Sequence, residues 1–142
     1  MPFAQLVRVA SVVSLCFVMI SGCEFSSPKR NAVTGQVKYK GEPITDGVIT
    51  FIPDDPALKA TGGSTIKDGK FEIRKNVGLP AGQYKVSINY PDPKRRVPIQ
   101  EGDAPGESRE VPDLLPPKYN RETILRAEIK SDAPNELTFD LD

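Results

Sequence analysis

The amino-acid sequence predicts an all-β fold: one small seven-stranded β-sandwich of immunoglobulin-like size, set behind an N-terminal signal peptide. Three observations carry this. From Ala32 onward, apolar and polar residues alternate with the period of 2 that half-buried strands require. The 142 residues include 14 prolines and 11 glycines, which break the chain into short elements. No stretch of the body repeats its apolar residues at helical spacing.

The strands follow in order. Val33, Gly35, Val37 and Tyr39 share one face, opposite Thr34, Gln36, Lys38 and Lys40, until Lys40-Gly41-Glu42-Pro43 breaks the strand. Residues 48–52 (Val-Ile-Thr-Phe-Ile) form a nearly continuous apolar and β-branched run, expected to be covered on both faces. Pro53-Asp54-Asp55-Pro56 stops it, because proline donates no ladder bond. A weaker strand spans Gly62 to Lys67, and Asp68-Gly69 is a strong hairpin signal. Phe71 and Ile73 then oppose Lys70, Glu72 and Arg74. After Leu79-Pro80-Ala81-Gly82 comes the clearest strand, where Tyr84, Val86, Ile88 and Tyr90 alternate with Lys85, Ser87 and Asn89. Leu125, Ala127 and Ile129 alternate with Arg126, Glu128 and Lys130, and finally Leu137, Phe139 and Leu141 with Thr138, Asp140 and Asp142. Seven short strands over about 110 residues match the size of one sandwich.

Residues 91–118 break the pattern. Seven of them are proline, and Lys94-Arg95-Arg96 is followed by Glu101, Asp103, Glu107 and Glu110. A connection this long is either a polyproline-like excursion with self-compensating charge or a binding loop. Lys94, Arg95, Arg96 and the neighbouring Tyr119 are therefore the candidate partner contacts.

The N-terminus reads as an address. Arg8 is the one charge in residues 1–22, and residues 9–20 are apolar except for two serines. That length suits a signal peptide and is short for a membrane span. Ile20-Ser21-Gly22-Cys23 resembles the lipobox of bacterial lipoproteins: an aliphatic residue, two small ones that let a peptidase approach the backbone, and a cysteine. The resemblance implies a diacylglyceryl thioether on Cys23 and cleavage after Gly22. Two plainer readings use the same residues: an ordinary signal peptide cut nearby, leaving a free thiol, or an uncleaved anchor. Cys16 lies inside the apolar stretch and is a hydrophobic filler. Residues 23–31, polar and broken by Pro28, read as a lipidated tether, leaving 32–142 as the folded domain. More than one acyl chain is needed for firm attachment to a membrane.

Composition narrows the function. Nineteen basic and nineteen acidic residues give no net charge, which argues against nucleic acid as a partner. The chain has no histidine, which removes the usual neutral-pH proton carrier and the commonest zinc ligand. The only two cysteines, Cys16 and Cys23, cannot staple the body.

Val33-Thr34-Gly35-Gln36-Val37, Gly41-Glu42-Pro43-Ile44, residues 47–51 (Gly-Val-Ile-Thr-Phe), residues 67–71 (Lys-Asp-Gly-Lys-Phe) and Leu79-Pro80-Ala81-Gly82-Gln83-Tyr84 together resemble a carboxypeptidase regulatory-like domain. That resemblance implies a transthyretin-like sandwich. Residues 115–120 (Leu-Pro-Pro-Lys-Tyr-Asn) and 135–141 (Asn-Glu-Leu-Thr-Phe-Asp-Leu) are similar to the tail of small lipoproteins abundant in planctomycete bacteria. The matching positions are turns and core, so they imply a fold and a cell-envelope setting rather than a reaction.

No constellation points to catalysis, and no cofactor is expected. The hydroxyisourate hydrolases of this architecture depend on histidines and a C-terminal signature that this chain lacks. Ser64 and Lys67 are near in sequence, but that spacing is commonplace in turns. Asp54-Asp55, with Asp46, offer calcium-type oxygens without a spaced ligand loop, and Asp-Pro turns are common for conformational reasons. Lys38 or Lys40 with Asn135 superficially suits an isopeptide bond, but both lysines fall on the polar face. Tyr39, Tyr84 and Tyr90 are core or half-core by period, leaving Tyr119 as the exposed aromatic. The expectation is a non-enzymatic, lipid-anchored envelope module that meets an envelope protein or polysaccharide. The alternative is a carbohydrate- or calcium-binding accessory protein of an envelope transport system.

Overall fold

The computed structural model describes residues 28–95 and 111–142. Eight strands form one curled, hydrogen-bonded sheet: β1 (Val33–Tyr39), β2 (Glu42–Pro43), β3 (Asp46–Pro53), β4 (Gly62–Lys67), β5 (Lys70–Ile73), β6 (Gly82–Asn89), β7 (Arg126–Ile129) and β8 (Glu136–Leu141). The strand order is β2-β1-β5-β4-β3-β6-β7, with β8 on the other edge of β1. Every pairing is antiparallel except β1 with β8, which is parallel from Thr34↔Glu136 to Tyr39↔Leu141.

The ladder between β4 and β5 is confined to Lys67↔Lys70 at the hairpin. Asp68 and Gly69 both take positive φ (49° and 74°), as a two-residue hairpin of the primed type demands. Lys40 (φ 52°) and Gly41 (φ 83°) do the same between β1 and β2. The expected break at Lys40–Pro43 is thus a tight turn with a two-residue return strand, where Pro43 is tolerated because β2 is an edge.

Within the curled sheet the inward faces meet. Phe51 of β3 lies 6.0 Å from Phe71 of β5 and 6.4 Å from Tyr84 of β6, and Phe71 lies 6.5 Å from Phe139 of β8. Val33, Val37, Ile49, Ile66, Val86 and Ile88 belong to the same core, from which water is excluded. Gly35 lets this packing close, because a Cβ there would stand 2.6 Å from the Phe71 ring.

One expectation about β3 is corrected. Of residues 48–52 only Ile49 and Phe51 are buried, whereas Val48 and Ile52 are 43% and 42% exposed. β3 runs between β4 and β6, but none of the described residues covers its outer face. Branched side chains there follow strand preference rather than double burial.

Tyr84 fixes the start of β6. Its hydroxyl donates to the Pro80 carbonyl at 2.9 Å, across the turn that Leu79-Pro80-Ala81-Gly82 makes. Burial pushes its phenol up, partly opposed by the Arg30 guanidinium.

Candidate functional site

Strand directions sort the loops into two ends. β1 and β8 begin, and β5 ends, at the same end, as Val33↔Ile73 and Thr34↔Glu136 require. β3 ends and β4 begins there too (Phe51↔Gly62), as do the start of β6 and the end of β7 (Gly82↔Ile129). Chain entry at 28–32 therefore shares one end with loops 54–61, 74–81 and 130–135. The turns at 40–41 and 68–69, the long β6–β7 connection and Asp142 occupy the opposite end.

The entry end grips the incoming chain. Asn31, though polar, is buried: its N–H donates to the Leu79 carbonyl at 2.8 Å, and Leu79 returns the bond at 3.0 Å. The Asn31 side-chain amide adds a bond to the same Leu79 oxygen at 3.1 Å. An Arg30 guanidinium nitrogen donates to the Gly78 carbonyl at 3.0 Å, and the Lys29 ammonium pairs with Asp132. That ammonium, with Ser131 behind it, holds the Asp132 carboxyl below its usual range. The tether expected through Asn31 is thus held to the domain from Lys29 onward. Ile20, Ser21, Gly22 and Cys23 lie outside the described residues.

The opposite end is organised by one carboxylate that the sequence did not flag. Asp113 Oδ1 accepts the Tyr90 N–H at 3.1 Å and the Leu115 N–H at 2.8 Å, while Oδ2 accepts the Asn89 amide at 2.9 Å. Around it the two limbs of the 91–118 loop are stapled. The Leu114 N–H donates to the Tyr90 carbonyl at 2.8 Å, and the Asp92 N–H to Pro112 at 3.0 Å. The loop is therefore no featureless excursion at its base.

Of the candidate contacts, Lys94 and Arg95 are exposed on a 3-10 turn, Pro93–Arg95. Asp92 holds that turn, accepting the Lys94 N–H at 2.9 Å and standing 3.8 Å from Arg95 Nε. Arg96 lies outside the described residues. Tyr119 is corrected: expected to be exposed, it is buried, because the 3-10 turn Pro117–Tyr119 carries its ring inward. Its hydroxyl hydrogen-bonds the Asp142 carboxylate, which also accepts from the Lys118 ammonium at 2.8 Å. Lys118, then Tyr119, hold the Asp142 carboxyl down at about 2, and the same contacts push the Lys118 amine up.

A third feature is an open groove of about 750 Å³ over β1, β4, β5 and β8. Thr34, Gln36, Lys70, Glu72, Arg74 and Thr138 line it with hydrogen-bonding groups. Such a surface can bind a polar chain by hydrogen bonds. The Ser64 hydroxyl is engaged with the Glu72 carbonyl at 2.8 Å.

The other candidate sets do not converge. Asp46 opens β3 while Asp54 and Asp55 follow its end, so the eight-residue strand separates them by roughly 25 Å. Asp55 instead caps the turn Pro56–Leu58, accepting the Ala57 N–H at 2.8 Å. Among the described residues, no group of three Asp, Glu, Cys or His side chains is placed to hold a metal ion. Asn135 is buried and bonds to the Lys130 N–H and the Lys130 and Ala32 carbonyls, far along β1 from Lys38 and Lys40. No helix among the described residues is long and apolar enough to cross a membrane. No family model, curated protein or solved structure matches the chain.

Proposed function

We propose that this protein is a non-enzymatic, lipid-anchored module of a bacterial cell envelope, attached through Cys23 and presenting its 91–118 loop to an envelope protein or polysaccharide. In this reading the curled sheet is a transthyretin-like sandwich that acts as a spacer. The single observation behind it is polarity of the fold: chain entry and the loop stand at opposite ends. A protein fixed to a bilayer at residue 23 would then hold Lys94 and Arg95 on the side facing away. The stapled loop base supports the same reading, since a rigid foot lowers the ordering cost of binding.

The test is a crosslinking pull-down from native membranes with the tagged full chain, its Cys23→Ser variant and a loop variant. Deleting all of residues 92–116 would remove Asp113 and the buried Leu115, so the loop variant replaces only 96–110 with a Gly/Ser stretch of equal length. A partner captured by the anchored wild type and lost with the loop replacement supports the proposal. Equal capture by all three sinks it.

The groove over β1, β4, β5 and β8 favours a second reading, a glycan-binding accessory protein of an envelope transport system. Loss of glycan retention in Gln36→Ala/Thr138→Ala, with the loop intact, would support that reading over the first.

A further inference from the structure

The end where the chain enters carries more than the grip on the tether. Loop 74–81 projects the exposed Arg74, Lys75 and Val77 beside it, with Val77 at 59% exposure. Lys130, also exposed, follows β7 at the same end. Among the described residues, Arg74, Lys75 and Lys130 have no carboxylate within ion-pair distance, and this end carries six cations (Lys29, Arg30, Lys59, Arg74, Lys75 and Lys130) against four acids (Asp54, Asp55, Asp132 and Glu136), of which Asp132 pairs with Lys29 and Asp54 stands 4.0 Å from Arg126. The surface therefore shows unspent positive charge around one apolar tip. That combination suits the polar boundary of a bilayer, where cations meet anionic headgroups and a small apolar side chain enters between them.

Chain length points to the same place. Five peptide steps separate Cys23 from Pro28, at most about 17 Å of extended chain. If Cys23 is acylated, this end cannot stand farther than that from the headgroups. That reach is about two of the roughly 8–10 Å lengths over which surface charge decays at physiological salt. The opposite end shows no such excess: with the turns at 40–46 and 67–70 included, its seven described acids are matched by seven described cations, among them Lys40, Lys67 and Lys70.

We infer that the entry end, through Arg74, Lys75, Lys130 and Val77, docks directly on an anionic membrane surface and holds the domain upright. This rests on the anchoring reading for its geometry, and the experiment separates the two. The wild-type cysteines are only Cys16 and Cys23, so one introduced thiol marks one place once Cys23 is acylated and residues 1–22 are removed. A fluorophore is attached at Val77→Cys or, at the other end, Lys40→Cys in the full chain. Each protein is placed on vesicles of phosphatidylglycerol and phosphatidylcholine containing a nitroxide-headgroup lipid.

Quenching at position 77 should exceed that at 40 several-fold. The excess should shrink on phosphatidylcholine alone or in 0.5 M salt. Arg74→Gln/Lys75→Gln should lower the docked population about 30-fold, at one surface cation's worth each. Equal quenching at 77 and 40 on acylated protein overturns the docking, as does an excess indifferent to lipid charge. The mass of the Cys23 peptide is read in parallel. Where Cys23 proves unacylated, the two labels are moved to a Cys16→Ala/Cys23→Ser background so that each again marks one place, and anionic-dependent quenching at 77 there refutes the anchor and keeps the docking surface. An unacylated chain with no such quenching refutes both.

Discussion

Gly35 gives the sharpest check on the packing. It lies in β1 between β5 and β8, and a Cβ there would stand 2.6 Å from the Phe71 ring and closer still to the Leu137 carbonyl. The ring has little freedom, since Phe71 packs on both Phe51 and Phe139. The carbonyl has less, because it belongs to a strand paired with β1 over six residues. Gly35→Ala must therefore push β8 off β1 or displace the aromatic cluster. Overpacking of this kind costs about 1–3 kcal/mol, with a backbone clash at the upper end, set against roughly 0.5–1 kcal/mol regained from chain entropy. A net loss of about 2 kcal/mol or more corresponds to a fall of at least about 8 °C in Tm for a domain of this size. Gly41→Ala is the comparison: nothing lies within 4 Å, and only its φ of +83° opposes a side chain. That strain costs about 1 kcal/mol. Thermal and urea unfolding of both variants, followed by circular dichroism, measures the difference. A Gly35→Ala protein as stable as Gly41→Ala would refute the packing of β8 and Phe71 against β1.

Three further outcomes follow from the geometry. Asp113→Ala strands the Tyr90 and Leu115 N–H groups, so it should cost about 2–4 kcal/mol and speed proteolytic cleavage within the loop, both measurable on the folded protein. Tyr84→Phe leaves the Pro80 carbonyl without its donor and should cost about 1–2 kcal/mol in urea unfolding. The Asp142 carboxyl sits at about 2 when folded, below its ordinary 3.8, so its contribution is nearly full by about pH 5 and is lost as pH falls toward 2. Lys118→Met should flatten that acid limb of the Tm profile, and an unchanged limb would remove Lys118 as its cause.

Much of the framework was legible because it is local. Asp68-Gly69 announces a turn through the one geometry it favours, and period-2 alternation names the buried faces of β1, β5, β6 and β8 without reference to neighbours. What escaped depends on contacts distant in sequence. The parallel seat of β8 on β1 joins residues about 100 apart, and no local pattern encodes it. Val48 and Ile52 read as doubly buried, yet composition cannot tell whether anything covers a sheet's outer face. Tyr119 looked exposed among prolines and lysine, but a three-residue turn rotates its ring into the core. Asp113 and the buried Asn31, Asn120 and Asn135 had no apolar period to mark them, since their task is to satisfy backbone groups. At the candidate site the residue types were readable, but which loops share an end follows only from strand pairing.

Whether the domain hangs from Cys23 is read from the intact mass of the protein extracted from native membranes. The expected species is a chain beginning at Cys23 and carrying a diacylglyceryl thioether, absent from Cys23→Ser. A free thiol at Cys23, or a mature chain beginning elsewhere without lipid, would contradict it.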